Sequence, residues 1–136
     1  MKIKTGYDGN MRFKTGGTVP VVMDAVKKAG GKAEAPSPKE MVLYGLAGCT
    51  GMDVVYILNK RNIPFEKLDI SVEAELTEYH PKTFTHIKVI FIFTADTSYK
   101  QEIERAITLS SEDICGVTAM LGKSAEMERE LIIKPK

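Results

Sequence analysis

The sequence predicts one α+β domain over residues 1–136, and three observations carry that expectation. Strand-like alternation occupies separated regions near 10–23, 67–94 and 126–134. An apolar stretch from Met41 to Leu58, carrying the single charge Asp53, lies between the first and second of them. The resulting order of strands, a core helix, a long hairpin, two helices and a last strand is not a regular β-α-β alternation. A domain of this length buries roughly 68–70% of the surface its unfolded chain exposes, so it folds without disulfide staples.

The elements follow in order. Asn10-Met-Arg-Phe-Lys-Thr alternates polar and apolar residues, Gly16-Gly17 marks a turn, and Thr18-Val-Pro-Val-Val-Met reads as a second strand. Lys27 to Pro38 shifts to Lys, Gly, Ala, Pro and Ser, a loop composition. Ser37-Pro38-Lys39-Glu40 then opens a helix: Ser37 suits the cap, Pro38 the first helical position, and Glu40 the reciprocal partner of a capping box. Lys60-Arg61 complements the helix dipole at the far end, and Asn62 and Pro64 stop the helix. Being apolar almost all round, this helix is expected at the centre of the fold.

Leu68, Ile70, Val72, Ala74 and Leu76 place one apolar face on a strand from Lys67 to Tyr79. Tyr79-His80-Pro81-Lys82 connects it to a second strand over Thr83–Thr94. Ile103, Ile107 and Leu109 mark a helix from about Ser98. Ser110 or Ser111 is expected to cap a short helix carrying Cys115, Ala119, Met120 and Leu121, which Gly122 ends. Glu126 to Lys134 closes the chain as a strand.

Composition excludes several function classes. Nineteen basic residues against eighteen acidic ones give a net charge of +1, no footprint for nucleic acid or an anionic membrane. Met41–Leu58 is short for a membrane span and carries a central carboxylate, which favours a core helix. The segment MKIKTGYDGNMRFKTGG has no apolar core of signal-peptide length, so a cytoplasmic location is expected. Cys49 and Cys115 are 66 positions apart and form no zinc knuckle, and His80 and His86 lie near neither of them. No phosphate loop or nucleotide fingerprint occurs, so neither a cofactor nor a metal is expected.

The two cysteines are the residues with chemistry to offer, and the cytosol argues against a structural disulfide between them. Cys49 sits in Leu46-Ala-Gly-Cys-Thr-Gly, where Ala47, Gly48 and Gly51 allow a backbone, a thiol or a ligand to approach closely. Each glycine costs a helix interior about 1 kcal/mol relative to alanine, so such a cluster has a packing or functional reason. Asp53, one turn on, opposes thiolate formation, as does burial. A reactive Cys49 therefore requires a cation or several donors close by. Cys115 follows Leu109-Ser-Ser-Glu-Asp-Ile, where a helix start favours a thiolate and Glu112 and Asp113 oppose it. From residue type alone, two buried free thiols acting as small apolar residues are the default reading. Close helix–helix packing accounts for the glycines around Cys49 as well as a functional site does.

Four segments carry a resemblance to a known family. They are Ser-Pro-Lys-Glu-Met-Val-Leu at 37–43, Leu-Ala-Gly-Cys-Thr-Gly-Met-Asp-Val-Val at 46–55, Tyr-His-Pro-Lys-Thr-Phe at 79–84, and Leu-Ser-Ser-Glu-Asp-Ile-Cys-Gly-Val at 109–117. Together they resemble the OsmC/Ohr family, in its branch of small redox proteins. The resemblance implies an intertwined homodimer with antiparallel sheets around central cysteine-bearing helices, and two sites at the interface. It also implies a peroxidatic Cys49 and a resolving Cys115, which reduce a small hydroperoxide and are reset by an external dithiol. The chain departs from the family's peroxidases at two positions: Tyr7 stands where an arginine belongs, and Lys39, with Glu40 next to it, where its partner glutamate belongs. Arg12 or Lys39 then remains to supply the cation. Binding of an apolar ligand in the inherited cavity and redox sensing are the alternative functions.

Overall fold

Gly9 and Asn10, at φ of +87° and +49°, turn the chain between its first two strands. The computed structural model describes residues 1–136, which divide into two compact units, Met1–Tyr44 and Gly45–Lys136. In the first unit, β1 (Thr5–Tyr7), β2 (Phe13–Thr15) and β3 (Val22–Met23) form an antiparallel sheet in that order. The expected strand at 10–15 starts only at Phe13, because residues 9–12 make the turn, with Arg12 N–H donating to Gly9 at 3.0 Å. The expected strand at 18–23 contracts to Val22–Met23. Pro20 has no N–H for a ladder, and Val21 N–H donates to the Thr15 hydroxyl at 2.8 Å.

The loop from 24 to 37 contains one 3-10 turn, Lys27–Ala29, and is organised by a carboxylate. Asp24, only 1% exposed, accepts N–H donors from Ala25 at 2.8 Å and from Lys32 and Glu34 at 3.2 Å. Gly31 lets this loop close: a Cβ there would stand 1.9 Å from the carbonyl oxygen of Ala25. Burial pushes the Asp24 carboxyl up, but the N–H donors of Glu34, Lys32 and Ala25, together with the Arg12 charge, outweigh it and hold it below the usual 3.8.

The helix α1 (Pro38–Lys60) has its expected boundaries. Its capping box forms, with Ser37 N–H donating to Glu40 at 2.7 Å and Glu40 N–H to the Ser37 hydroxyl at 3.3 Å. Those bonds hold Glu40 below its usual value. By length and composition α1 is apolar enough to cross a membrane, yet Leu46, Thr50, Val54, Ile57 and Leu58 form a buried stripe at helical spacing. The expectation of burial all round is corrected on the other face, where Tyr44, Met52 and Tyr56 are each more than 60% exposed.

In the second unit, β4 (Lys67–Leu76), β5 (Phe84–Thr94) and β6 (Glu126–Lys134) form a sheet in sequence order. β4 and β5 are the expected antiparallel hairpin. β6 runs parallel to β5, so the sheets are not antiparallel throughout. The intervening helices carry the chain back before β6 begins, which a parallel pair requires. Register puts Leu68, Ile70, Val72 and Ala74 beside Phe93, Phe91, Val89 and Ile87, all four of the latter buried. Gly51 of α1 approaches this face closely, since a Cβ there would stand 2.9 Å from Ile70 Cδ1. The other face of β5 presents Lys88, which pairs with Glu130 at 2.7 Å and Glu128 at 3.7 Å.

Asp24 supplies a pH test. Its folded value lies below the ordinary 3.8, so its stabilising contribution is complete above that pH and is lost as pH falls through the lowered value. Asp24→Asn is expected to lower the urea midpoint at neutral pH and to flatten the acid limb of midpoint against pH.

Candidate functional site

Cys115 owes its position to an interrupted helix. Asp96 caps a 3-10 turn at Thr97–Tyr99 by accepting the Ser98 N–H at 2.9 Å, and α2 (Lys100–Leu109) follows. Ile103, Ala106 and Ile107 bury its inner face. The chain then widens into a π turn, Ser110–Ile114, closed by Cys115 N–H donating to the Ser110 carbonyl at 2.8 Å. A π turn inside helical structure commonly marks a functional site. Here it separates α2 from α3 (Gly116–Leu121).

The cap expected at Ser110 or Ser111 is corrected. Cys115 itself takes the cap position, with extended backbone and its sulfur accepting the Thr118 N–H at 3.4 Å. The two serines are still helical. Ser111 donates back to the Ile107 carbonyl at 2.8 Å. Ser110, fully buried, donates to Asp53 Oδ2 at 3.1 Å and lies 3.0 Å from the Thr50 hydroxyl. This tie joins α1 to the start of the π turn, and thereby places Cys115 opposite Cys49.

The two sulfurs and a carboxylate oxygen of Asp53 all lie within 4.8 Å of one another. Both cysteines are free thiols; Cys115 is buried and Cys49 half-buried. The Cys49 thiol is pushed above its ordinary 9.0, foremost by its hydrogen bond with Cys115 and next by burial. The charges of Cys115 and Asp53 add to this, and the Val117 N–H offsets only part of it. The arrangement is therefore suited to joining two sulfurs, and Cys49 is held as a thiol until that environment changes. A cavity of about 70 Å³ is lined by Thr50, Val89, Phe91, Ser111 and Thr118 among others, without Cys49, Asp53 or Cys115 in its wall.

The other candidates belong to the Met1–Tyr44 unit, and all but Lys39 have side-chain partners there. Tyr7 ends β1, its ring 5.9 Å from that of Phe13. Arg12 pairs with Asp8 and Glu34, each at 3.7 Å, and its Nε has no hydrogen-bond partner. Lys39 is exposed, and Glu40 serves the capping box. Sequence reasoning missed Ser110 and Thr50 as positioning residues. The one signal was the unusual polarity of Thr50 and Ser110 beside the cysteine motifs; nothing in a linear sequence pairs positions 60 residues apart.

The family model for OsmC-like protein matches residues 30–130. Protein YhfA of Escherichia coli K12 is 38% identical over 94 residues, 69% of this chain and 70% of that protein. The chain therefore belongs to the OsmC family. Among solved structures, an OsmC-like protein from Mycoplasma pneumoniae superposes with a TM-score of 0.84 at 17% identity, covering 97% of this chain and 95% of that one. An organic hydroperoxide resistance protein OsmC from Legionella pneumophila superposes at 0.74 with 17% identity, covering 96% and 95%. At such identities these two show the shared fold.

Because Cys115 is the leading cause of the raised Cys49 thiol, Cys115→Ala is expected to shift the pH profile of Cys49 alkylation to lower pH. An unchanged profile in iodoacetamide kinetics would contradict the pairing. Ser110→Ala leaves Thr50 and Asp53 short of a buried partner, with an expected cost of about 1–3 kcal/mol in denaturant unfolding.

Proposed function

We propose that this chain is a cytosolic, thiol-dependent reductase of hydroperoxides, with Cys49 as the attacking sulfur and Cys115 as the resolving one. The observation that carries this reading is the approach of the two sulfurs to within 4.8 Å, so that side-chain rotation and a small backbone shift suffice for an S–S bond of about 2.05 Å. Membership of the OsmC family supports it, as does likeness in fold to an organic hydroperoxide resistance protein.

The thiolate of Cys49 attacks one peroxide oxygen, the O–O bond breaks, and the other oxygen leaves as an alcohol after taking up a proton. Cys49 becomes a sulfenic acid. Cys115 attacks that sulfur, water leaves, and a disulfide forms. An external dithiol returns both thiols by exchange and is itself oxidised. Cys49 takes the first role because it is half-buried whereas Cys115 is buried; peroxide reaches the more open sulfur.

The active unit is proposed to be an intertwined homodimer. Apolar side chains stand exposed on the β1–β2 hairpin, at Tyr7, Met11 and Phe13, and along α1, at Val42, Tyr44, Met52 and Tyr56. An open apolar groove also follows α1 past Gly48, Gly51, Met52 and Tyr56. Solvent-exposed apolar surface of this extent favours cover by a second copy. The dimer also supplies a setting in which a cation from either copy lowers the Cys49 thiol, the task the family assigns to the arginine that Tyr7 replaces.

Purified protein with dithiothreitol is expected to consume a small organic hydroperoxide, and Cys49→Ser to abolish that turnover. Cys115→Ser is expected to leave Cys49 trapped as a dimedone-reactive sulfenic acid. Absence of turnover by the wild type on organic and inorganic peroxides alike would sink the enzymatic reading. Sedimentation is expected to give twice the chain mass of 15.0 kDa.

A further inference from the structure

Two thiols and a carboxylate that converge on one point are also a set of metal ligands. We infer that reduced Cys49 and Cys115, together with Asp53, form a binding site for a thiophilic divalent cation of the zinc class, and that metal binding and disulfide formation exclude each other. This inference needs only reduced thiols and stands apart from peroxide turnover.

The three ligand atoms all lie within 4.8 Å of one another. Zinc bonds thiolate sulfur at about 2.3 Å and carboxylate oxygen at about 2.0–2.2 Å. Tetrahedral bonds of those lengths space the ligands by roughly 3.3–3.8 Å, so modest side-chain rotation draws the three onto one ion. Two sulfurs select a soft or borderline cation over magnesium or calcium, which favour oxygen. The absence of a knuckle spacing in the sequence does not weigh against this site, because the fold brings its ligands from α1 and from the junction of the π turn with α3.

The surroundings suit a bound ion. Ser110 donates to Oδ2 of Asp53 at 3.1 Å and lies 3.0 Å from Thr50, so a hydrogen bond from α2's end holds the carboxylate in place. Such outer partners typically change metal affinity about 10–100-fold when removed. Thr118 N–H already points at the Cys115 sulfur, a contact that stabilises negative charge on a metal-bound thiolate. Cys49 and Asp53 are half-buried rather than enclosed, which leaves the fourth position for water.

Binding replaces two thiol protons by one dication: two thiols and M²⁺ give a dithiolate complex and two released protons, with no change in oxidation state. Cys115 and Asp53 oppose a bare thiolate at Cys49, but with a dication between them they become favourable partners. Once the sulfurs are joined as a disulfide, neither is a thiolate, and the ligand set is gone. A metal on the pair in turn occupies the electron pairs with which Cys49 would attack peroxide.

The test uses the full-length protein, reduced, freed of metal and reductant, and titrated with Zn²⁺ against a chromogenic chelator; Co²⁺ is added in parallel for its thiolate charge-transfer absorption. One equivalent per chain is expected, with that absorption present. Oxidation of the wild type with diamide is expected to abolish uptake, and this arm requires no variant to fold. Cys49→Ser and Cys115→Ser are expected to lose the site, with circular dichroism checking their fold, and Asp53→Asn to weaken binding at least tenfold while keeping the cobalt–thiolate band. Failure of the reduced wild type to bind Zn²⁺, retention of metal after diamide oxidation, or tight binding by a folded cysteine variant would each overturn the site. Unaltered affinity in Asp53→Asn would overturn the three-ligand assignment. A chain that binds zinc but reduces no peroxide retains the site and loses only the enzymatic reading.

Discussion

The hydroxyl of Ser110 holds the second unit's chemistry together. Buried groups of this kind must find hydrogen-bond partners, and Ser110 finds two on α1, Thr50 and Asp53. The resulting constraint fixes where α2 ends relative to α1. The π turn then starts from a defined point, and its closing bond delivers Cys115 to the sulfur of Cys49. A hydrophobic contact at the same place would hold the helices together but would leave their rotation and register much less specified. The polar tie is directional, and the distance between the two thiols inherits that direction.

The same carboxylate gives the site a conflict. Asp53 orients Ser110 and also opposes a thiolate at Cys49, while Cys115 opposes it more strongly by holding the thiol proton in a hydrogen bond. Geometry therefore favours a sulfur–sulfur bond, and electrostatics within this unit favour the resting thiol. Fast peroxide chemistry needs the thiolate. Such a site awaits a positive charge: in the proposed dimer a cationic side chain would activate it, whereas the proposed metal ion would silence it.

The exposed apolar residues bear on the proposed assembly. A helix as apolar as α1 would ordinarily be enclosed, yet Tyr44, Met52 and Tyr56 face outward. Gly45 and Gly48 have nothing within 4 Å of a Cβ placed on them. Of the three glycines in α1, only Gly51 has a packing reason within the chain, its close approach to Ile70. Gly45 and Gly48 keep the surface beside Cys49 low, a shape that suits the proposed second copy.

Much of the fold was legible in the sequence because it rests on local chemistry. The capping box at Ser37 and Glu40, the period-two face of β4, and the stop after Lys60 depend on residues a few positions apart. The box and the stop are found as read. The β4 face holds from Leu68 to Ala74, while the strand ends at an exposed Leu76 rather than at Tyr79. The cysteines and Asp53 were legible as candidates from residue type and motif. What the sequence determined, then, was the elements, their order and the groups able to react. Tertiary structure decided the parallel direction of β6, the exposed face of α1, the capping role of Cys115 and the tie from Ser110 to Thr50. Each of these depends on partners distant along the chain, whose pairing is set by competition among burial, hydrogen bonding and chain closure. No local pattern encodes the outcome, and so the convergence of Cys49, Asp53 and Cys115 became visible only in three dimensions.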